Sequence, residues 1–392
     1  YEMKVYEELK KMGKVDPMSK PEYKFIVVTL PSDKINELRN MNGILKVWID
    51  REVKVPRPIE DEALKVPNPA KPNMFMSVYT INAYNAWTNY GIYGDNVTVA
   101  VLDTGIDPSH SFLQQTMNGK RKIIDTKDMT GEGDVDTSDT ATSANITNGV
   151  LKIKSNLIID WGDYYWAVNR ATQYTTVYID NVTVGNITSA NGVYHFGLLP
   201  ERYFDLNQDG DTNDYYFVLV VNSSEYYDTV YVDTDEDFNL TDETPIHLFT
   251  KTGEYGVFPS MVAFTLGDIA TNTGNFVSFM WDGYGHGTHV SGTIAGYGSP
   301  GDPVFDGITG VAPNTQLMEI RVLMSFGSGW TSMIVNGMIY ASIYGPDWIP
   351  FSGDEADIIS MSLGGLEEYN DGTEDLENFY VCLLYTSDAA DD

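Results

Sequence analysis

Apolar, β-branched runs alternate along this chain with segments of helical periodicity. Residues 97–102 are almost wholly apolar, which predicts a strand buried on both faces of a parallel sheet. Further strands are predicted in "TQLMEIRVL" and "ADIISMSLGG", and helices in "INAYNAWTNY", "GHGTHVSGTIAG" and "WTSMIVNGMIYASI". The pattern predicts an α/β fold, a parallel sheet flanked by helices, in two parts at residues 73–114 and 276–381.

A small module and a linker precede this sheet. An apolar run at 25–30 predicts a strand, Pro-Ser-Asp at 31–33 predicts a helix start, and alternating Val and Ile at 47–55 predict a second strand. We therefore predict a small α+β module over about residues 20–56. The Pro-rich stretch that follows, up to residue 72, predicts an exposed and easily cleaved linker.

The residues between the two parts of the sheet differ in character. Over 115–275, Thr, Asn, Asp, Tyr and Gly dominate, and short alternating runs such as "YYFVLVV" and "DTVYVDTD" occur. Such runs, separated by turn residues, are typical of antiparallel strands. We predict an all-β insertion that interrupts the α/β domain.

Charge is unevenly distributed over the 392 residues, whose formal net charge is −32. Residues 1–72 carry 14 basic and 12 acidic residues, whereas residues 73–392 carry 10 basic and 44 acidic ones. An acidic surface of this kind repels nucleic acid and anionic membranes and suits cation binding. No apolar run has the length that a membrane span needs. We expect no nucleic-acid partner and no membrane span.

The last eleven residues, 382–392, read "CLLYTSDAADD". Read as codons, this stretch matches a translated sequencing adapter, so we expect it to be an artefact and exclude it from the fold. It holds the single cysteine, Cys382. A chain without other cysteines fits an exported protein and equally many cytosolic ones. From this cysteine content and the acidic surface, we expect an extracellular or cell-surface location, with a signal peptide lost upstream.

Two residues with catalytic chemistry fall at the predicted active edge of the sheet. The strand over 97–102 leads into Asp103, and a predicted helix opens with His286. In open parallel sheets, ligands bind at the carboxyl ends of the strands. A His with a neighbouring Asp is the arrangement of a general base and the carboxylate that orients it. Taken alone, Asp103 is explained better as a turn or cap residue.

Four motifs in order favour a catalytic role for Asp103 over a turn or cap role: "VAVLDTGID", "GHGTHVSGTIAG", "GVAPNTQLMEIRVL" and "ADIISMSLGG". Together they resemble the subtilisin-like serine proteases, or subtilases, and the front module resembles a subtilase propeptide. The resemblance implies that Asp103 orients the base and that His286 is the general base and acid. It also implies extended protein or peptide substrates and an intramolecular inhibitor in residues 1–72. The implied substrate-pairing residues are Gly327, Ser328, Gly329, Ser362, Leu363 and Gly364.

The nucleophile of that family lies in a Gly-Thr-Ser-Met-Ala-x-Pro turn that follows the last of these motifs. Thr331-Ser332-Met333 imitates this turn but precedes the motif, and Trp330 stands where the family has Gly. Apolar residues at 333, 334, 338 and 339 predict an amphipathic helix instead. We therefore predict that Ser332 is not catalytic, and that this chain, without the nucleophile and the oxyanion Asn, is inactive. Its parent protein, the full product of the gene, is expected to be a serine endopeptidase made as a proprotein.

Two acidic loops in the insertion offer oxygen ligands for a structural calcium ion. In the first loop, Asp205, Asn207, Asp209 and Asp211 occupy alternate positions with Gly210 at the turn. In the second, Asp233, Asp235 and Asp237 repeat the spacing and are followed by Asp242-Glu243. Two acidic hairpin turns without metal explain the same residues.

Two other functions remain open at this stage. A calcium-binding surface protein with a dead protease domain fits the acidic insertion. A metal-dependent hydrolase using Asp103, His286 and His289 fits the i, i+3 spacing of the two histidines on one helix face. Sensitivity to a chelator, rather than to a serine-directed covalent inhibitor, would distinguish the metal enzyme.

Overall fold

The computed structural model describes residues 2–16, 19, 25–55, 73–162 and 172–364. The predicted linker at 56–72 and the adapter-like residues 382–392 lie outside the described residues. The helices are α1 (Glu2–Met12), α2 (Ile35–Arg39), α3 (Asn73–Thr80), α4 (Ala83–Tyr90), α5 (Phe249–Thr252), α6 (His286–Ala295) and α7 (Thr331–Ile339).

The strands are, in chain order, β1 (Lys14–Val15), β2 (Val28–Thr29), β3 (Glu52–Lys54), β4 (Thr98–Asp103), β5 (Ile123–Asp128), β6 (Asp134–Asp136), β7 (Asp139–Thr142), β8 (Ile146–Thr147), β9 (Val150–Asp160), β10 (Tyr174–Thr183), β11 (Val193–Pro200), β12 (Tyr215–Asn222), β13 (Tyr227–Val232), β14 (Gly256–Val257), β15 (Ala263–Ile269), β16 (Phe276–Met280), β17 (Gln316–Arg321), β18 (Ser328–Trp330) and β19 (Ile358–Met361).

A parallel sheet of order β19-β4-β17-β5 forms the centre of the α/β part. Side chains alternate along β4: Val99 and Val101 belong to one apolar core, and Ala100 and Leu102 to another. Helix α6 contributes to the first core and α7 to the second, so the sheet is covered on both faces. The predicted α/β architecture is confirmed.

The insertion consists of antiparallel sheets, of order β13-β12-β11-β7, β14-β15-β16-β6 and β10-β9-β8. Its boundaries differ from the predicted 115–275. Strand β5 lies inside that range, yet it pairs in parallel with β17 and is the edge of the central sheet. The pattern concealed this strand because its sequence, "IIDTKD", is polar although its residues are mostly buried. At the other end, β16 starts beyond residue 275 and pairs with β6 and β15 of the insertion.

The front module also differs from its prediction. The strand expected over 25–30 is only β2, two residues that pair with β1. The strand expected over 47–55 is reduced to β3, which pairs with β18 of the α/β part and not with its own module. Ile49 is 79% exposed, so this apolar residue did not mark a buried strand. Among the described residues, no helix is long and apolar enough to cross a membrane.

Candidate active site

The carboxyl edge of the central sheet brings Asp103 and His286 together. Asp103 is the last residue of β4 and His286 is the first residue of α6. The two residues are 183 positions apart in sequence, yet the Asp103 Oδ1 and His286 Nδ1 atoms lie 2.7 Å apart. This is the contact that an orienting carboxylate makes with a catalytic imidazole.

Two glycines permit this close approach of strand end and helix. Gly105 has φ +114°, and a Cβ atom there would lie 2.2 Å from the carbonyl oxygen of Trp281. A Cβ atom on Gly287 would lie 2.2 Å from the carbonyl oxygen of Gly105. Larger residues at either position would separate α6 from the turn after β4. Glycine is therefore required by packing at positions 105 and 287.

Asp282 holds the start of α6 in place. Its Oδ2 atom accepts hydrogen bonds from the backbone N–H (2.8 Å) and the hydroxyl (2.6 Å) of Thr288. Its Oδ1 atom accepts from the Thr104 hydroxyl at 2.7 Å and from the Gly285 N–H at 2.8 Å. Asp282 therefore ties the turn after β4 to the helix that carries His286. Sequence reasoning missed this residue, although an Asp shortly before a predicted helix is a recognisable cap signal.

The electrostatic environment of the pair follows from burial. Asp103 is 1% exposed, and this burial raises the pKa of its carboxyl group, while the hydrogen bonds from His286 and the Thr104 N–H oppose the rise. The His286 side chain is 26% exposed. One edge of the imidazole is thus fixed by a buried carboxylate and the ring still reaches solvent. Such a ring can take a proton from an incoming group and return it.

The segment around β3 lies between the two predicted substrate-pairing edges. On one side, β3 pairs antiparallel with β18, with Val53 opposite Gly329 and Lys54 opposite Ser328, and the Val55 N–H donates to the Gly327 carbonyl at 3.0 Å. On the other side, Lys54 and Gly364 exchange two backbone hydrogen bonds, each 3.0 Å long. Gly327, Ser328, Gly329 and Gly364 are thus brought together around one extended chain. Ser362 and Leu363 directly precede Gly364 on this second edge.

The side chains of this segment are alternately buried and exposed, as those of a bound extended peptide would be. Val53 and Val55 are 2% and 8% exposed and join the core formed with α7, whereas Glu52 and Lys54 are exposed. A Cβ atom on Gly327 would lie 2.8 Å from the Tyr284 ring and 3.0 Å from Val55. Tyr284 is two residues before His286, so Gly327 and Val55 lie beside the segment that leads into α6.

Ser332 serves as part of a helix start. It is 7% exposed at the beginning of α7, and its N–H (2.9 Å) and hydroxyl (2.6 Å) both donate to the carboxylate of Asp50. Burial raises the pKa of Asp50, and the bonds from Ser332 oppose this. The Asp50 carboxylate takes the place of an N-cap, supplied by a residue 282 positions earlier. Local sequence patterns give no signal for such a distant cap.

A buried ionic network stabilises the chain that leads to the first substrate-pairing edge. Arg321, the last residue of β17, donates from Nε and Nη2 to the two carboxylate oxygens of Asp128 at 3.0 and 2.6 Å. The Glu132 carboxylate accepts from the Ser325 N–H at 2.9 Å and from the Ser325 hydroxyl at 2.5 Å. These bonds fix the chain between β17 and β18, the segment that leads to the first pairing edge. Arg321 is the only basic residue of the sequence beyond Lys251, and no local pattern indicates its partners.

The two acidic loops differ in which of their carboxylates approach one another. In the first loop, Asp209, Asp211 and Asp214 are the carboxylates that approach one another, while Asp205 and Asn207 accept hydrogen bonds from the backbone of that loop. In the second, one group comprises Asp233, Asp235 and Glu243, and an adjoining one comprises Asp235, Asp237 and Asp242. Among the described residues, Asp103, His286 and His289 belong to no such group.

Comparisons with known proteins add the following findings. The model of the subtilase family, peptidase S8, matches residues 94–390. Pyrolysin of Pyrococcus furiosus is 42% identical over 402 residues, which cover 94% of this chain and 28% of pyrolysin. Subtilisin DY of Bacillus licheniformis is 44% identical over 88 residues, which cover 22% of this chain and 27% of that relative.

More distant similarities extend to a third relative and to a solved structure. Tripeptidyl-peptidase 2 of Arabidopsis thaliana is 25% identical over 296 residues, covering 62% of this chain and 21% of that protein. A crystal structure of tripeptidyl peptidase 2 is similar with a TM-score of 0.48 and 18% identity, over 70% of this chain and 24% of that one. The chain spans about a quarter of the length of the curated relatives it matches.

Proposed function

Because the chain belongs to the subtilase family, we propose that its parent protein is a serine endopeptidase in which Asp103 and His286 are two members of the catalytic triad. The observation that carries this proposal is the 2.7 Å contact between Asp103 Oδ1 and His286 Nδ1 at the carboxyl edge of the sheet. Asp103 orients the imidazole and stabilises its charged form, and His286 takes the proton from the attacking serine and gives it to the leaving amine. Extended segments of protein are its substrates.

The proposal includes an inhibitory propeptide in residues 1–72. The placement of β3 supports this role, because residues 53–55 make backbone hydrogen bonds to Gly327 and Gly364 that an extended substrate would make. An acyl or peptide substrate cannot occupy the cleft between the two substrate-pairing edges while β3 is paired on both sides. Cleavage in the linker at 56–72, followed by release of the module, would open it.

We further propose that the 392-residue chain does not itself hydrolyse peptides. It holds the Asp and the His of the triad, but no Gly-Thr-Ser-Met-Ala-x-Pro turn occurs in its sequence. Ser332 is an unsuitable substitute because its hydroxyl donates to Asp50 inside the start of α7. An extracellular location of the parent protein is part of the same proposal. It is supported by the net charge of −32 and tested by fractionating the producing cells.

Covalent labelling with a fluorophosphonate probe tests the proposed class of enzyme. The activated parent protein should be labelled at one serine, and labelling should persist in Ser332→Ala and be lost in His286→Ala. The 392-residue chain should remain unlabelled. An active parent that is inhibited by a chelator and not by the probe would instead indicate a metal-dependent hydrolase. A parent with neither activity nor labelling would support the calcium-binding surface protein with a dead protease domain.

A further inference from the structure

The central parallel sheet carries a buried acid on the face that α6 covers. Glu319 lies in β17, opposite Val101 of β4, and is 1% exposed. The hydroxyl of Ser291, a residue of α6, donates to the Oε1 atom of Glu319 at 2.7 Å. Glu319 forms no salt bridge with any residue that the structure describes. Burying an ionised carboxylate with a hydroxyl partner and without a cation is costly.

The charges that act on Glu319 are negative. They belong to Asp103, at the end of β4, and to Asp282, which precedes α6. The Oδ2 atom of Asp103 is buried and accepts no hydrogen bond within the described part of the chain. Arg321, two residues further along β17, donates from Nε and Nη2 to Asp128 and is engaged there. An ionised Glu319 would therefore add a third carboxylate charge to this region without a cation to offset it.

Helix α6 faces the sheet with a stripe of small residues. Gly287, Ser291 and Ala295 are buried and are spaced four residues apart, so they lie on one side of the helix. Ser291 is the polar member of this stripe, and Glu319 is its partner on the sheet. The contact lies about one and a half helical turns beyond His286, the first residue of α6. It therefore fixes how the helix that carries His286 rests on β17.

We propose that Glu319 is held as a neutral carboxylic acid and, through Ser291, is a positioning residue for His286. The carbonyl oxygen of a protonated carboxyl group still accepts the Ser291 hydroxyl, and the group adds no charge beside Asp103 and Asp282. Ionisation would set three carboxylates against one another, and movement of α6 away from the sheet would relieve the repulsion. The Asp103–His286 contact would then lengthen. The catalytic arrangement thus depends on a proton that the reaction does not transfer.

The electrostatics give this proposal a measurable sign. Burial raises the pKa of Glu319 well above its ordinary value, Asp103 and Asp282 raise it further, and the hydrogen bond from Ser291 opposes the rise. The folded chain therefore holds this proton more tightly than the unfolded chain, so stability falls as the pH rises from the ordinary pKa towards the raised one. Glutamine has the shape of the neutral acid and no proton to lose. The functional meaning of this inference rests on the proposed role of His286, but its tests need no proteolysis.

Urea unfolding of the 392-residue chain at pH 5, 6 and 7 tests the protonation state. The folding equilibrium constant of Glu319→Gln, divided by that of wild type, should rise roughly tenfold for each pH unit. Glu319→Met, a second neutral replacement, should show the same slope from a lower starting stability. The ratio for Glu225→Gln, an exposed acid, should stay constant. A constant ratio for both Glu319 variants would overturn the proposal.

Infrared difference spectroscopy observes the proton itself. At pH 7 the wild type should show the carbonyl band of a protonated carboxylic acid that is missing from Glu319→Gln. Absence of this band from the difference spectrum would mean that Glu319 is ionised in the folded chain, and would contradict the proposal.

Proton NMR of the same chain distinguishes a positioning residue from one that only packs. The Nδ1 proton of His286, hydrogen-bonded to Asp103, should give a low-field signal. Glu319→Gln should keep this signal to higher pH than wild type, and Ser291→Ala should lose it at lower pH. Thr293→Ala, which removes a hydroxyl bonded within α6 itself, is the matched control and should leave the range unchanged. Equal pH ranges in wild type, Glu319→Gln and Ser291→Ala would contradict positioning through Ser291. They would leave the triad assignment standing, because substitution of His286 in the active parent tests that separately.

Discussion

Asp50 should control how tightly the segment around β3 is held between the two substrate-pairing edges. Its carboxylate accepts two hydrogen bonds from Ser332 and replaces the N-cap of α7. The next residue also contributes, since the Arg51 carbonyl accepts from the Thr331 N–H at 2.8 Å. Asp50→Ala removes the first two bonds and leaves the third. The substitution therefore acts on docking of the segment, and leaves the central sheet unchanged.

The expected magnitude follows from these contacts. Loss of an N-cap costs about 0.5–2 kcal/mol, and a hydrogen bond to a charged group contributes about 1.5–3 kcal/mol. Burial of the Asp50 charge offsets part of this gain, as the direction of its pKa shift indicates. We expect a net loss of about 1.5 kcal/mol in the free energy of opening the segment, which corresponds to roughly tenfold more frequent opening.

Hydrogen exchange of the 392-residue chain measures this opening directly. The Lys54 and Val55 amides donate to the Gly364 and Gly327 carbonyls, so they exchange only when the segment leaves the cleft. Asp50→Ala should speed their exchange roughly tenfold, Asp50→Asn should have a smaller effect, and the exposed control Asp33→Asn should have none. Unchanged exchange at these amides, or an equal acceleration in β17, would refute the reasoning.

Three further predictions concern the helix that carries His286, the buried network and pH. Asp282→Ala removes the acceptor of four hydrogen bonds and should destabilise the start of α6. Urea titration should show a free energy of unfolding lower by about 2–4 kcal/mol, and a loss below about 0.5 kcal/mol would contradict this role. Arg321→Met leaves Asp128 buried and unpaired, which costs about 3–5 kcal/mol, whereas Lys11→Met, in an exposed pair, should cost less than about 1 kcal/mol. Because burial raises the pKa of Asp50 in the docked state, docking gains stability as the pH falls and loses it as the pH rises through the raised value. Opening measured at Val55 should therefore be rarer at pH 4 than at pH 7, and Asp50→Asn should lose this dependence; an unchanged pH response in that variant would exclude Asp50 as its source.

The meeting of Asp103 and His286 was predictable because two strong patterns coincide. The apolar run before Asp103 indicated a strand, and the Gly-rich context of His286 indicated a helix start at the same edge. Their 2.7 Å contact places the start of α6 at the carboxyl end of β4. The order of motifs around them was specific enough to indicate the family before any contact was known.

Other features depend on contacts that periodicity does not encode. Strand β5 was assigned to the insertion because its polar residues gave no apolar run, whereas pairing with β17 and the Arg321 contact stabilise it. Asp50 caps a helix 282 positions away, and no local window contains both partners. Ile49 suggested a strand by residue type, yet it is exposed. In each case tertiary contacts, and not local preference, decided the structure.

The most direct test of the proposed mechanism is the kcat/KM of the activated parent protein on a peptide substrate, compared between wild type and His286→Ala. If His286 is the general base, the substitution should lower kcat/KM by at least about 10²–10⁴-fold, mainly through kcat. Circular dichroism should show that the variant remains folded. A kcat/KM within about threefold of wild type in a folded variant would contradict the assignment of His286, and with it the proposed serine-protease mechanism.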